Sequence, residues 1–123
     1  MRKEDSTNLA NQLFLHKSCK VNEALDLISG RWKALILIYI SEETNRFSLI
    51  KAVLDNKISD QTLGRQLKDL ELSNLIEKEI LPGFPVRVNY YLTKKGKALL
   101  PILDALDEWT EQYHETKLSS DLE

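Results

Sequence analysis

The chain holds one cysteine, three prolines, four glycines and two histidines among its 123 residues, and each scarcity removes a class of protein. A lone thiol, Cys19, cannot close an intrachain disulfide, so a disulfide-stapled scaffold is excluded. One cysteine with two widely separated histidines, His16 and His114, offers no ligand cluster for a metal. Neither histidine stands in a pattern that would make a nucleophile–base–acid set, and no glycine-rich loop is available to cradle a phosphate. We therefore expect no enzyme, no metal and no cofactor. No apolar run reaches the roughly 18 to 20 residues that a membrane span requires. Met1-Arg2-Lys3-Glu4-Asp5 leads into mixed polar sequence without an apolar export segment, which together with the single thiol points to a cytoplasmic protein. Few prolines and glycines mean few turns, so helices should dominate. There is no internal repeat and no low-complexity stretch.

What is present is the composition of one soluble globular domain, 42% hydrophobic and 29% charged. The net charge of −2 argues mildly against a nucleic-acid partner, but its distribution matters more than its sum. Residues 1–43 balance six basic against six acidic side chains; residues 44–97 carry ten against six; residues 98–123 carry one against seven. The middle is basic and the C-terminal end acidic.

Hydrophobic spacing locates the elements. Val21, Ala24, Leu25, Leu27 and Ile28 recur at helical intervals, and Ser29-Gly30 breaks the pattern, with Ser29 placed to end one helix and cap the next. From about Arg31 to Glu42 the run Ala34 to Ile40 is apolar on nearly all sides, the mark of a central, buried helix. After the turn Thr44-Asn45-Arg46, residues 47–54 put Phe47, Ile50, Val53 and Leu54 on one face. Asp55-Asn56-Lys57 is a second turn. Ser59 then reads as an N-cap, Asp60 suits the positive helix end, and Ile58 can pack on Leu63 as a staple, so a helix is predicted over 59–72 with Leu63, Leu67 and Leu70 inward. Beyond Ser73-Asn74 the period changes: Leu75–Leu81 and Val86–Leu92 read as strands around the turn-rich tip Pro82-Gly83-Phe84-Pro85. Thr93 can cap a last helix running to about Thr116, with Leu99, Ile102, Leu103, Leu106, Trp109 and Tyr113 as its apolar stripe. Pro101 either kinks that helix or lies near its first turn, the helix then starting near Lys97.

Assembled, this is a mainly α chain with a small β-hairpin, in winged helix-turn-helix order. We expect residues 1–18 to form an N-terminal extension and 19–123 a single winged helix-turn-helix domain ending in a long helix. Helices 47–54 and 59–72 form the helix-turn-helix and the hairpin the wing. The outward face of the second helix presents Gln61, Arg65 and Lys68, flanked by Thr62, Gln66 and Asp69. Arginine can take guanine in a bidentate fork and glutamine can take adenine, which is what reading a major groove demands. Lys51, Lys57 and Lys68 suit phosphates, and Ser59 sits at the helix end that would approach the duplex. On the wing, Arg87 can enter a minor groove or pair with phosphate, and is otherwise a strand-edge charge. Lys94, Lys95 and Lys97 either reach the DNA backbone or stay solvated.

The chain resembles the HxlR-type winged helix-turn-helix regulators, which are related to the MarR regulators. The resemblance covers residues 19–113. It rests on Cys19 with Leu25-Asp26-Leu27-Ile28, then Gly30-Arg31-Trp32-Lys33, Arg46-Phe47, Ile58-Ser59, Leu63 to Leu70 with Arg65, Leu75-Ile76, Pro85 through Val88, Tyr91-Leu92-Thr93, Gly96, Leu100 to Leu103 and Trp109. Phe47-Ser48-Leu49-Ile50 departs from the family pattern, which often has an acidic residue there. The resemblance implies a bacterial repressor or activator that binds double-stranded DNA as a homodimer on a pseudo-palindromic operator, with N- and C-terminal helices forming the dimer interface. The sequence agrees, since Leu13 and Phe14 make an apolar patch near one end, and Leu99, Ile102, Leu103, Leu106, Trp109 and Tyr113 another. In several family members a cysteine at the position of Cys19 senses oxidants or electrophiles. Lys17, Lys20 and the helix start expected after Cys19 would favour its thiolate. Bridging to a partner chain, capping by a small thiol, alkylation and an inert role all remain open. The rival reading is a winged-helix protein–protein interaction module without DNA binding, for which the acidic balance is the best argument.

Overall fold

The computed structural model describes Leu9 and residues 19–122, with side chains described as far as residue 114. Residues 19–27 are helical (α1). They are followed by α2 (Lys33–Ser41), α3 (Phe47–Val53), α4 (Asp60–Leu72), β1 (Ile76–Leu81), β2 (Arg87–Leu92) and α5 (Lys94–Leu122). The hairpin is antiparallel, with Ile76 opposite Leu92, Lys78 opposite Tyr90 and Leu81 opposite Arg87. This is the winged helix-turn-helix expected from the order of elements.

The central helix is α2. Ile36, Leu37 and Ile40 are buried among Ile50, Leu54, Ile58, Leu63, Leu67, Leu70, Leu75, Ile76, Leu92 and Leu103, so residues of every later element meet around it. Burial of so many branched aliphatic side chains, each worth about 1.5–3 kcal/mol, is the main source of stability for the domain. One expectation is corrected here. Ser29 does not cap α2: its hydroxyl donates to the Asp26 carbonyl (3.0 Å) at the end of α1. Gly30 turns the chain at φ +85°, and α2 starts only at Lys33, with Trp32 as an N-cap that makes no side-chain bond.

The other helix ends are closed as their residue types allow. α3 ends with Asp55 and Asn56 both in the left-handed region. The Asn56 N–H bonds the Lys51 carbonyl (3.1 Å) and the Asp55 N–H the Ala52 carbonyl (2.9 Å). α4 ends the same way on Asn74, with the Leu75 N–H on Leu70 (3.0 Å) and the Asn74 N–H on Glu71 (3.0 Å). Both are Schellman closures in which Asp or Asn takes the place of glycine. Both stop a helix sharply enough for the next element to fold back.

α5 begins where Thr93 caps it, accepting from the Gly96 N–H (3.0 Å). Its first turn therefore forms at Lys94 rather than Lys97, and the helix continues through Pro101. Pro101 only deprives the Lys97 carbonyl of a donor. Thr93 also ties this start to the end of α4: its hydroxyl donates to the Asn74 carbonyl (2.7 Å), its N–H to the Leu75 carbonyl (3.0 Å), and the Lys95 ammonium to the Ser73 carbonyl (3.0 Å).

Candidate nucleic-acid interface

The start of α4 is fixed by Ser59. Its backbone is extended (φ −74°, ψ 157°), its hydroxyl oxygen accepts from the Thr62 N–H (3.1 Å), and its O–H donates to Thr62 Oγ1 (2.9 Å). Both hydroxyls are thus engaged in the cap. Leu63, Leu67 and Leu70 face the core, which turns Gln61, Arg65 and Lys68 outward at intervals of four and three residues on one exposed face. Thr62, Gln66 and Asp69 flank that face half-buried, and Asp69 is drawn back toward α2 by Lys33 (3.6 Å). Lys68, itself exposed, has the half-buried Glu71 at 4.0 Å, a long pair of little energetic weight.

Lys51 is not a free cation. It pairs with Asp60, the first residue of α4, across the turn of the helix-turn-helix. Sequence reading treated Asp60 only as a helix-end charge, and nothing in the sequence marks the pair, since nine residues and a turn separate its members. Lys57 is exposed, whereas Lys95 serves α4's end as described above.

The wing stands beside this face. Segment 45–46 joins its outer edge: Arg46 bridges Asn89, and the Tyr90 N–H bonds the Asn45 carbonyl (2.8 Å). The exposed Arg87 and Arg46 line one open cleft of about 380 Å³ between the wing tip and the start of α3, together with Ser48, Pro85 and Val86. Arg46 is the side chain that sequence reading missed. The sequence marked it as part of a polar turn and of the Arg46-Phe47 pair that carries the family resemblance, but neither places it on the wing, because the strand-like bridge that brings it beside Arg87 is a tertiary contact. On the wing's other rung the Asn89 amide donates to the Tyr91 hydroxyl (3.3 Å), which donates to Glu79 (3.3 Å). Tyr90 is held neutral beyond the ordinary phenol range, first by burial and then by the Glu71 carboxylate.

The expected dimer face is divided by the structure. Ile102, Leu106, Trp109 and Tyr113 are exposed on α5, with the Trp109 and Tyr113 rings 5.4 Å apart at 43°. Val21 and Leu25 of α1 are exposed as well. Leu103 is corrected: at 6% exposure it belongs to the chain's own core, and Leu99 is half-buried against that core. Leu13, Phe14 and Lys17 lie outside the described residues. Cys19 is exposed and already helical, so the helix does not begin after it as expected. That leaves the exposed Lys20 as its described basic neighbour.

A core-packed helix pair joined by a tight turn, an outward polar face on the second helix and a hairpin beside it define a winged helix-turn-helix protein. The HxlR-like helix-turn-helix family matches residues 27–118, and the chain belongs to it. An HTH-type transcriptional regulator of Methanothermobacter thermautotrophicus, itself uncharacterised, is 45% identical over 95 residues, 77% of this chain and 72% of that protein. Solved structures are similar too, two of them of regulators in reduced form. The reduced form of the transcriptional regulator YodB from B. subtilis has 34% identity and a TM-score of 0.66, covering 76% of this chain and 91% of that one. The redox regulator HypR in its reduced form has 30% identity and a TM-score of 0.73, covering 81% and 98%. The chain is a transcriptional regulator of the HxlR type, a family of regulators rather than enzymes. Among the described residues no helix is long and apolar enough to cross a membrane.

Proposed function

We propose that this regulator binds double-stranded DNA as a homodimer on a pseudo-palindromic operator, and that oxidation or alkylation of Cys19 switches the binding. The observation that carries the reading is the outward face of α4, where Gln61, Arg65 and Lys68 share one side of a rigidly capped helix beside a wing bearing Arg87. Arg65 and Gln61 read base edges. Gln66, Thr62 and Ser59 line the approach, while Lys68 and Arg87 meet the phosphate backbone, as does Lys51 when it exchanges Asp60 for a phosphate. The exposed stripe Ile102–Leu106–Trp109–Tyr113 supports a second copy as partner, since two-fold symmetry matches two half-sites.

The exposed thiol of Cys19 and the likeness to regulators described in reduced form support the switch. Oxidation joins Cys19 either to the partner's Cys19 or to a small thiol. Two thiols lose their protons and pass two electrons to the oxidant as the S–S bond forms. A small electrophile would alkylate the same sulfur. Because α5 is clamped to the end of α4 through Thr93, a rearrangement of the dimer helices alters half-site spacing.

The test is binding to the DNA upstream of the protein's own gene, and to duplexes selected from a random pool, across salt and with and without a thiol oxidant. Affinity should fall roughly a thousandfold or more between 50 and 200 mM salt for six phosphate contacts. Oxidant should alter binding by the wild type and not by Cys19→Ser. Failure to select any duplex would leave the protein-interaction reading. An oxidant response that survives Cys19→Ser would remove the switch alone.

A further inference from the structure

Phe84 at the wing tip is wholly exposed, at 106% of the reference surface for its residue type. Val86, two residues on, and Ile80, at the end of β1, are also more than half exposed. A phenyl ring left in water forgoes the stabilisation that burying an aromatic side chain supplies, and such groups mark contact surfaces. The tip is shaped to hold the ring out. Pro82 and Pro85 fix φ on either side, and Gly83 sits at φ +140°, a conformation that side chains resist. The same end of the hairpin is basic: Arg87 lies three residues after Phe84, and Arg46 lines a cleft with Pro85, Val86 and Arg87, next to the tip in sequence. The wing's carboxylates, Glu77 and Glu79, lie further down β1, and Glu79 is engaged by the Tyr91 hydroxyl.

We propose that Phe84 enters the DNA minor groove flanking the recognition helix as an apolar wedge, with Arg87 and Arg46 on the adjoining phosphates. The proposal rests on the DNA-binding reading and deepens it by assigning the wing a readout of its own. An exposed aromatic side chain on a hairpin end that also carries arginines suits the minor groove, whose floor and sugar walls are apolar and whose rims are anionic. Proteins that press apolar side chains between base steps there partly unstack them and favour flexible pyrimidine–purine steps. The reach is adequate. Six strand residues at about 3.4 Å each carry the tip about 20 Å from the hairpin base, and half a helical turn of DNA is about 17 Å. Sequence preference should therefore extend to a flexible step outside the bases read by α4.

The test uses the full chain on duplexes selected by the wild type from random DNA, with 2-aminopurine placed in turn at each step flanking the half-sites. Wild-type protein should raise the fluorescence at one flanking step on each side. Phe84→Ala should abolish that rise, weaken binding roughly tenfold to a hundredfold and leave the thermal midpoint unchanged. Phe84→Leu, still an apolar wedge, should restore part of both signals. Tight wild-type binding with no fluorescence change, and equal binding by Phe84→Ala, would overturn the wedge while DNA binding stands. A change in the sedimentation of free protein on Phe84→Ala, with duplex affinity intact, would overturn it in favour of a contact between copies. If the wild type selects no duplex, both readings fall.

Discussion

Gly96, in the first turn of α5, packs so closely on the Leu75 carbonyl that a methyl group built on it would overlap the oxygen, with Leu92 directly behind. The same carbonyl accepts the Thr93 N–H (3.0 Å), so the end of α4, the base of the wing and the start of α5 converge on one backbone group. Gly96→Ala must push α5 away from Leu75. A shift of backbone against backbone falls in the range of overpacking, about 1–3 kcal/mol. Thermal or urea unfolding should register that loss. The variant should also lose specific duplex binding more than non-specific binding, because the recognition helix is positioned through this contact.

Lys51 and Asp60 should separate two roles. The pair is partly exposed, so Lys51→Ala should change stability by less than about 1 kcal/mol. On DNA it should weaken all sequences alike and lower the salt slope by about 1. Asp60→Asn should do the reverse on DNA, tightening non-specific binding by freeing Lys51 and removing an anion from the surface. It also withdraws a favourable charge from the α4 N-terminus, a loss of about 0.3–1 kcal/mol. Salt titrations of the two variants against selected and scrambled duplexes check both halves.

Arg65→Ala and Ser59→Ala distinguish reading from folding. Arg65 is exposed on the outward face of α4, so its removal should leave the melting curve in place, relax base preference and reduce specific affinity by about 1–3 kcal/mol. Ser59 holds the α4 N-terminus through the Thr62 N–H, so its removal should reduce stability by about 0.5–2 kcal/mol. A selection profile unchanged by Arg65→Ala would show that the recognition face lies elsewhere.

The parts of this interface that were legible in the sequence are those written locally. Ser59-Asp60 before an apolar run announces a capped helix, and the spacing of Leu63, Leu67 and Leu70 dictates which side Gln61, Arg65 and Lys68 must face. Ser29 misled because its neighbour Gly30 takes the left-handed conformation and delays α2 to Lys33. Leu103 misled because a broad apolar stripe on a long helix serves two surfaces, and periodicity does not separate Leu103, turned to the core, from Ile102, turned to solvent. The Thr93–Asn74 tie, the Lys51–Asp60 pair and the approach of Arg46 to Arg87 were not legible. Each joins residues whose chain separation carries no pattern, and each exists only once the helices have packed around α2.

Tyr90 supplies a pH signature. Its folded-state pKa is raised, first by burial and then by Glu71, above the unfolded value of about 10. Between those values the folded state holds the proton that the unfolded state has lost. The contribution is therefore fully present below about pH 10 and is lost as pH rises through the folded pKa. Tyr90→Phe removes the titration, so denaturant midpoints measured from about pH 8 to 11 should fall less steeply for the variant than for the wild type. Parallel curves would mean that Tyr90 is as solvated folded as unfolded.

The two sides of α5 should answer differently to substitution. Leu103 is buried in the core beneath the helix, so Leu103→Ala leaves a cavity and should reduce stability by about 2–5 kcal/mol. Trp109 is 62% exposed, with the Tyr113 ring beside it, and is not among the residues that form the buried core. Trp109→Glu would place a charge in the middle of the proposed dimer face, where an unpaired carboxylate cannot be desolvated cheaply. Sedimentation should then report a monomer that retains its helical circular dichroism, and binding to a two-half-site operator should fall far more than binding to one half-site. If Trp109→Glu sediments as the wild type does, α5 does not form the dimer. The exposed stripe Ile102–Leu106–Trp109–Tyr113 would then have to be assigned to a different partner, with Leu103→Ala still expected to unfold the domain early because its role is internal to the chain.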